Sequence, residues 1–81
     1  MTKKQSSKEE TLRRRAIDNP LRSRMLKVFD DGESQSPGTL GRRLKEPLSR
    51  TSYHLAILAE AKLIVPDFVQ PESAEHFYRL A

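Results

Sequence analysis

Between residues 42 and 54 the chain carries eight side chains suited to contact with a polyanion. Arg42, Arg43 and Lys45 crowd one short stretch, and Ser49, Arg50, Ser52, Tyr53 and His54 follow just after a proline. Guanidinium and ammonium groups pair with phosphate oxygens, and a guanidinium can donate two bonds to the edge of a single guanine. Each residue also has an ordinary structural use. Cations at a helix end complement its dipole and solubilise it. Ser49 can cap a helix, Ser52 permits close packing, Tyr53 can cover a helix seam, and His54 can make one internal hydrogen bond. Other chemistry lacks its parts. Cysteine is absent, which removes disulfides, thiolate metal sites and a thiol nucleophile. No Ser-His-Asp set, paired carboxylate or glycine-rich phosphate loop is present, and three glycines are all the chain has. Neither an enzyme, a cofactor nor a metal site is expected.

Elements must hold these groups outward. Asn19-Pro20 combines an N-cap with a proline suited to the first helical position. Leu21, Met25, Val28 and Phe29 then follow at helical spacing up to the stop at Asp30-Asp31-Gly32. Glu33-Ser34-Gln35 reads as polar loop. Ser36-Pro37 repeats the start signal for a short helix to Leu44, with Leu40 and Leu44 facing inward. Glu46-Pro47 breaks the chain for about three residues before a helix running from about Leu48 to Ala61 or Lys62. At 100° per residue, Leu48, Leu55, Leu58 and Lys62 cluster around Thr51, whereas Ser49, Tyr53, Ala56 and Glu60 lie opposite. Arg50 and Ser52 occupy the flanks, and His54 borders the buried side. Leu63-Ile64-Val65 is a short strand that Pro66 restricts to an edge, weakly extended by Phe68 and Val69. Gln70 to Glu75 forms a turn, and His76 to Leu80 returns as a second strand, with His76 bonded to nearby backbone. Phe29, Leu40, Leu44, Leu55, Leu58, Phe68 and Phe77 are the expected core.

Upstream, residues 1–11 contain one apolar side chain, the initiator Met, and read as frayed. A helix from about Lys8 to Ile17, opened by the capping-box pattern Ser7-Lys8-Glu9-Glu10, carries the narrow stripe Leu12, Ala16, Ile17. Arg13, Arg14 and Arg15 fan around it and read as a solvated face.

At 81 residues the chain has room for one small domain. Its first fifty residues hold thirteen basic and seven acidic side chains, and the remaining thirty-one hold two and four. That asymmetry favours a polyanion on one side only. No apolar run approaches the roughly 18 residues of a membrane span, so no membrane association is expected. The reading is of a soluble, intracellular chain.

Two helices joined by a short break, the second with a polar outer face, form the helix-turn-helix arrangement, and the hairpin after them forms a wing. The residues also carry a family resemblance. Asn19-Pro20-Leu21-Arg22, Ser36 to Leu40, Leu44, Pro47-Leu48-Ser49-Arg50-Thr51-Ser52-Tyr53-His54-Leu55-Ala56-Ile57-Leu58, Lys62-Leu63-Ile64 and Glu75-His76-Phe77-Tyr78-Arg79-Leu80 resemble the winged helix-turn-helix domain of ArsR-like bacterial and archaeal transcription regulators. Glu46 and Thr51 stand where that family has hydrophobic residues, Lys62 where it has glycine, and the wing tip is short and acidic. The resemblance covers about residues 19–80. It implies a mainly α fold with a small β-hairpin (α+β), residues 1–18 being a basic N-terminal arm and residues 19–81 the DNA-binding domain. It implies a regulator of transcription that binds double-stranded DNA with the helix at about 48–61 in the major groove. Ser49, Arg50, Ser52, Tyr53 and His54 would meet the duplex, and Arg42, Arg43 and Lys45 the phosphates. A homodimer through the N-terminal helix would double the bases read. The competing expectation is a winged helix that docks on a protein without reading DNA sequence, with RNA binding third.

Overall fold

A computed structural model of the chain describes residues 2–30, 32–68 and 76–81. In chain order these form α1 (Thr2–Ile17), α2 (Pro20–Phe29), α3 (Pro37–Leu44), α4 (Leu48–Glu60), β1 (Ile64–Asp67) and β2 (Phe77–Leu80). The α+β class and the winged helix-turn-helix order are as the sequence implies. The acidic turn at residues 70–75, Val69, and Asp31 of the α2 stop lie outside the described residues.

Local chemistry explains where the helices begin and end. The Asn19 side chain accepts from the Leu21 and Arg22 amides at 2.9 and 3.1 Å, capping α2. Ser36 and Thr39 form a reciprocal capping box at the start of α3, with bonds of 3.1 and 2.8 Å. Lys45, at φ 58°, ends α3 in the left-handed conformation, and the Glu46 amide donates back to the Gly41 carbonyl at 2.9 Å. A Cβ on Gly41 would lie 2.9 Å from the Glu46 carbonyl oxygen, so the absence of a side chain lets the turn fold tightly onto α3. At the other end of α4, Lys62 N–H donates to Ala59 O and Leu63 N–H to Leu58 O, the paired bonds of a Schellman cap. Lys62 takes φ 62° there, which accounts for the glycine found at this place in the resembled family.

The core lies between α2, α3, α4 and β1. Met25, Phe29, Leu40, Leu55, Leu58 and Ile64 are buried in it with Ala16 and Ala61. Leu44 and Tyr78 pack against its edge, and Phe77 is half-buried. β1 and β2 pair antiparallel, Ile64 opposite Leu80 and Asp67 opposite Phe77. Thr51, fully buried, places its hydroxyl 3.0 Å from the carbonyl oxygens of both Pro37 and Leu48, stitching the start of α4 to that of α3.

Several expectations are corrected. α1 starts at Thr2 and not near Lys8, so Ser7 lies within the helix and not at its N-cap. Residues 2–11 contain neither glycine nor proline and are rich in Lys, Gln and Glu, which lose little rotamer freedom in a helix. Leu48 is 62% exposed, although helical phase puts it beside Leu55 and Leu58. A helical side chain leans toward the N-terminus, and at the first turn that direction leads off the end of the core. Lys62 is exposed and outside α4. Phe68, just after the end of β1, is 82% exposed and not part of the core. The loop before α3 is not wholly solvated either. Gln35 is buried and exchanges backbone bonds of 2.9 and 2.8 Å with Tyr78, adding a bridge beside β2. Its side-chain oxygen accepts from Thr39 Oγ1 at 2.8 Å, and the neighbouring Ser34 hydroxyl donates to the Asp67 carboxylate. The wing is therefore tied to the loop that leads into the helix-turn-helix pair.

Candidate nucleic-acid interface

α4 divides cleanly into two faces. Thr51, Leu55 and Leu58 point into the core, and Ser49, Arg50, Ser52, Tyr53, Ala56 and Glu60 are exposed. Tyr53 keeps 64% of its surface open, so it does not cover a helix seam. Arg42, Arg43 and Lys45 are exposed at the end of α3, immediately before the turn into α4. Seven of the eight polar residues singled out in the sequence thus lie on the exposed outer side of the helix pair. A shallow groove of about 300 Å³ separates α3 from the first turn of α4, lined by Gly38, Arg42, Glu46 and Leu48 among others. No side chain caps α4; Pro47 occupies that position. A helix N-terminus of this kind offers amides and the positive dipole end to an anion.

His54 is the exception. It is half-buried, and its Nδ1 accepts from Arg22 Nη1 at 2.9 Å. Because a guanidinium only donates, Nδ1 is the acceptor and the ring proton of the neutral imidazole sits on Nε2. The same Arg22 donates through Nε to Ala16 O at 2.7 Å and through Nη2 to Arg15 O at 3.2 Å. One side chain therefore joins the last turn of α1 to the middle of α4. The Tyr53 ring meets His54 edge-on, with centroids 5.1 Å apart.

Burial lowers the imidazole pKa from its ordinary 6.5; the Arg22 and Arg50 guanidinium groups lower it further, and Glu46 opposes them. The unfolded chain takes this proton at higher pH than the folded one does. The stability linked to neutral His54 is thus fully present above pH 6.5 and is lost as pH falls through the folded-state value. Thermal unfolding of the native chain is expected to move to lower temperature between pH 7 and pH 5. His54→Gln should flatten that segment of the profile, and an unchanged slope would show that the imidazole is not its source.

Arg50 is also engaged. Its Nη1 lies 3.0 Å from Glu46 Oε1, the Arg50 side chain being 58% exposed and that of Glu46 18%. Arg43 lies 3.8 Å from Glu33 in a more open pair. Reading the sequence missed Glu46 and Arg22 as partners in the site. The first was within reach, since an acid four residues before a base where a helix begins is a pairing signal. The second depends on how α1 and α2 pack on α4, which no spacing reveals.

Along α1, Ala16 is buried, whereas Leu12 and Ile17 remain 41% and 47% exposed. Among the described residues, no three His, Asp or Glu side chains gather into a metal-binding group, and no helix is long and apolar enough to cross a membrane.

This arrangement has counterparts. A family model described as a helix-turn-helix domain matches residues 17–66, more than half of the chain. The structure is similar to HlyU from Vibrio cholerae N16961, with 28% identity, a TM-score of 0.76, and coverage of 94% of this chain and 78% of that one. Against reduced HlyU from the same organism the identity is 28%, the TM-score 0.78, and the coverage 99% and 80%. No curated protein sequence matches the chain.

Proposed function

Since the chain belongs to the ArsR-like winged helix-turn-helix family of DNA-binding transcription regulators, which are not enzymes, we propose that it reads double-stranded DNA by laying α4 in the major groove. The observation that carries this reading is the division of α4. Its inner face is locked to the core by Leu55, Leu58 and the Thr51 hydroxyl, and its outer face presents Ser49, Arg50, Ser52 and Tyr53 without cover. A groove about 12 Å wide admits one such helix. Arg42, Arg43 and Lys45, at the end of α3, meet the flanking phosphates and fix the register. Arg50 reads a guanine edge or holds a phosphate, Ser49 and Tyr53 add contacts, and the small Ser52 lets the backbone come close. His54 serves the interface from behind, holding α4 through Arg22. A second copy docking on the exposed Leu12 and Ile17 of α1 would bring two recognition helices to one site.

Titrating the protein against duplex DNA, single strands and duplex RNA at two salt concentrations tests the reading. Duplex DNA is expected to bind tightest, and tightest of all when drawn from a random library by selection. Arg50→Ala should weaken the selected duplex by about 1–3 kcal/mol and relax the preference at one base pair. Equal weakening on every sequence would assign Arg50 to a phosphate. Indifference to all three nucleic acids, with a protein partner held through Tyr53 and Ile57, would replace the reading by a docking role.

A further inference from the structure

We infer that Glu46 is a positioning residue, one that sets which base Arg50 recognises and limits how tightly the protein binds DNA as a whole. The inference rests on the placement of α4 in the major groove and adds a determinant of its specificity. Glu46 stands on unusually firm footing for a turn residue. Its amide is bonded to Gly41 O at 2.9 Å, its carbonyl closes on the bare Gly41 backbone, and the ring of Pro47 fixes the next φ at −63°. Its side chain is mostly covered, yet one carboxylate oxygen reaches Arg50 Nη1 at 3.0 Å. Arg50, one helical turn on, is itself more than half exposed. A long arginine on a helix ordinarily samples many rotamers, and ordering it opposes binding. Here one nitrogen is already tethered to a rigid post, which leaves the rest of the fork available to a guanine O6/N7 edge.

The carboxylate has a second consequence. It brings negative charge to a surface that approaches phosphates, and so it weakens attraction to every duplex alike. Positioning and repulsion therefore separate. Removing the charge is expected to strengthen general binding, and removing the acceptor oxygen as well to blunt the choice of base.

The test compares the wild-type chain with Glu46→Ala, Glu46→Gln, Arg50→Ala and the Glu46→Ala/Arg50→Ala pair. Each is measured on the duplex selected by the wild type and on duplexes with single base-pair changes. Glu46→Ala is expected to bind all duplexes several-fold tighter while losing about tenfold in discrimination at one G·C pair. That pair should be the one whose preference Arg50→Ala abolishes, and the double variant should match Arg50→Ala there. Glu46→Gln keeps an acceptor oxygen without the charge. It should gain affinity and retain most of the discrimination. The inference is overturned by discrimination in Glu46→Ala equal to wild type, or by equal loss in the Ala and Gln variants. Uniform weakening on all duplexes with a lowered melting temperature overturns it too, by making Glu46 merely structural. Failure of the wild type to prefer any duplex would instead bring down the groove-binding reading itself, and this inference with it.

Discussion

Raising salt from 50 to 200 mM is expected to weaken binding to duplex DNA about 200- to 1000-fold. The cations at the proposed interface are Arg42, Arg43, Lys45 and Arg50, with Arg79 exposed on the wing strand β2. About four to six neutralised phosphates per bound chain give a slope of log K against log salt of roughly −4 to −5, since each contact releases most of one condensed counterion. Anisotropy titrations at four or five salt concentrations read the slope directly. Arg42→Ala should make it shallower by about one and should weaken selected and random duplexes alike, as befits a contact that positions without reading. A slope near zero for the wild type would mean that the basic end of α3 does not face the backbone.

The second large effect concerns the support behind the interface. Leu58→Ala is expected to cost about 2–5 kcal/mol, the range for removing a buried leucine from a packed core. Leu58 has no exposed surface and lies among Met25, Phe29, Leu55 and Ile64 in the buried cluster that underlies α4. A domain of this size holds only about 4–12 kcal/mol in total, so the variant should be largely or partly unfolded at 37 °C. Its melting temperature should fall by about 10 °C or more. Leu48→Ala is the control. It falls in the same arc around Thr51 as Leu58 but is 62% exposed, and should change stability by no more than about 0.5 kcal/mol. Calorimetry or thermal circular dichroism on the two variants decides the matter. Equal destabilisation would place Leu48 in the core, where simple periodicity puts it.

That pair of leucines also marks how far the sequence could be read. The Asn19-Pro20 and Ser36-Pro37 signals located α2 and α3 because a cap and a proline act through local geometry alone. The polar outer side of α4 was legible for the same kind of reason, a 100° period with Thr51 at the centre of the buried arc. Thr51 looked like a departure from a hydrophobic position, and its hydroxyl is accommodated by carbonyls at the starts of α3 and α4. Leu48 and Phe68 were misread because burial at the end of an element depends on what lies beyond it. The Gln35–Tyr78 bridge and the Arg22–His54 bond join residues forty-three and thirty-two positions apart. Such contacts exist only once the core has assembled. Glu46 shows the intermediate case. Its spacing from Arg50 was visible, but the rigidity that gives the pair meaning comes from Gly41 and the left-handed Lys45.

If α4 lies in the major groove, methylation interference on a selected duplex must reveal it. Guanine N7 opens to the major groove and adenine N3 to the minor groove. Methylation at N7 of one or two guanines in the site should abolish binding, with the effect at one of them missing in Arg50→Ala. Interference confined to adenine N3, or tight binding indifferent to every guanine N7 methylation, would contradict the account.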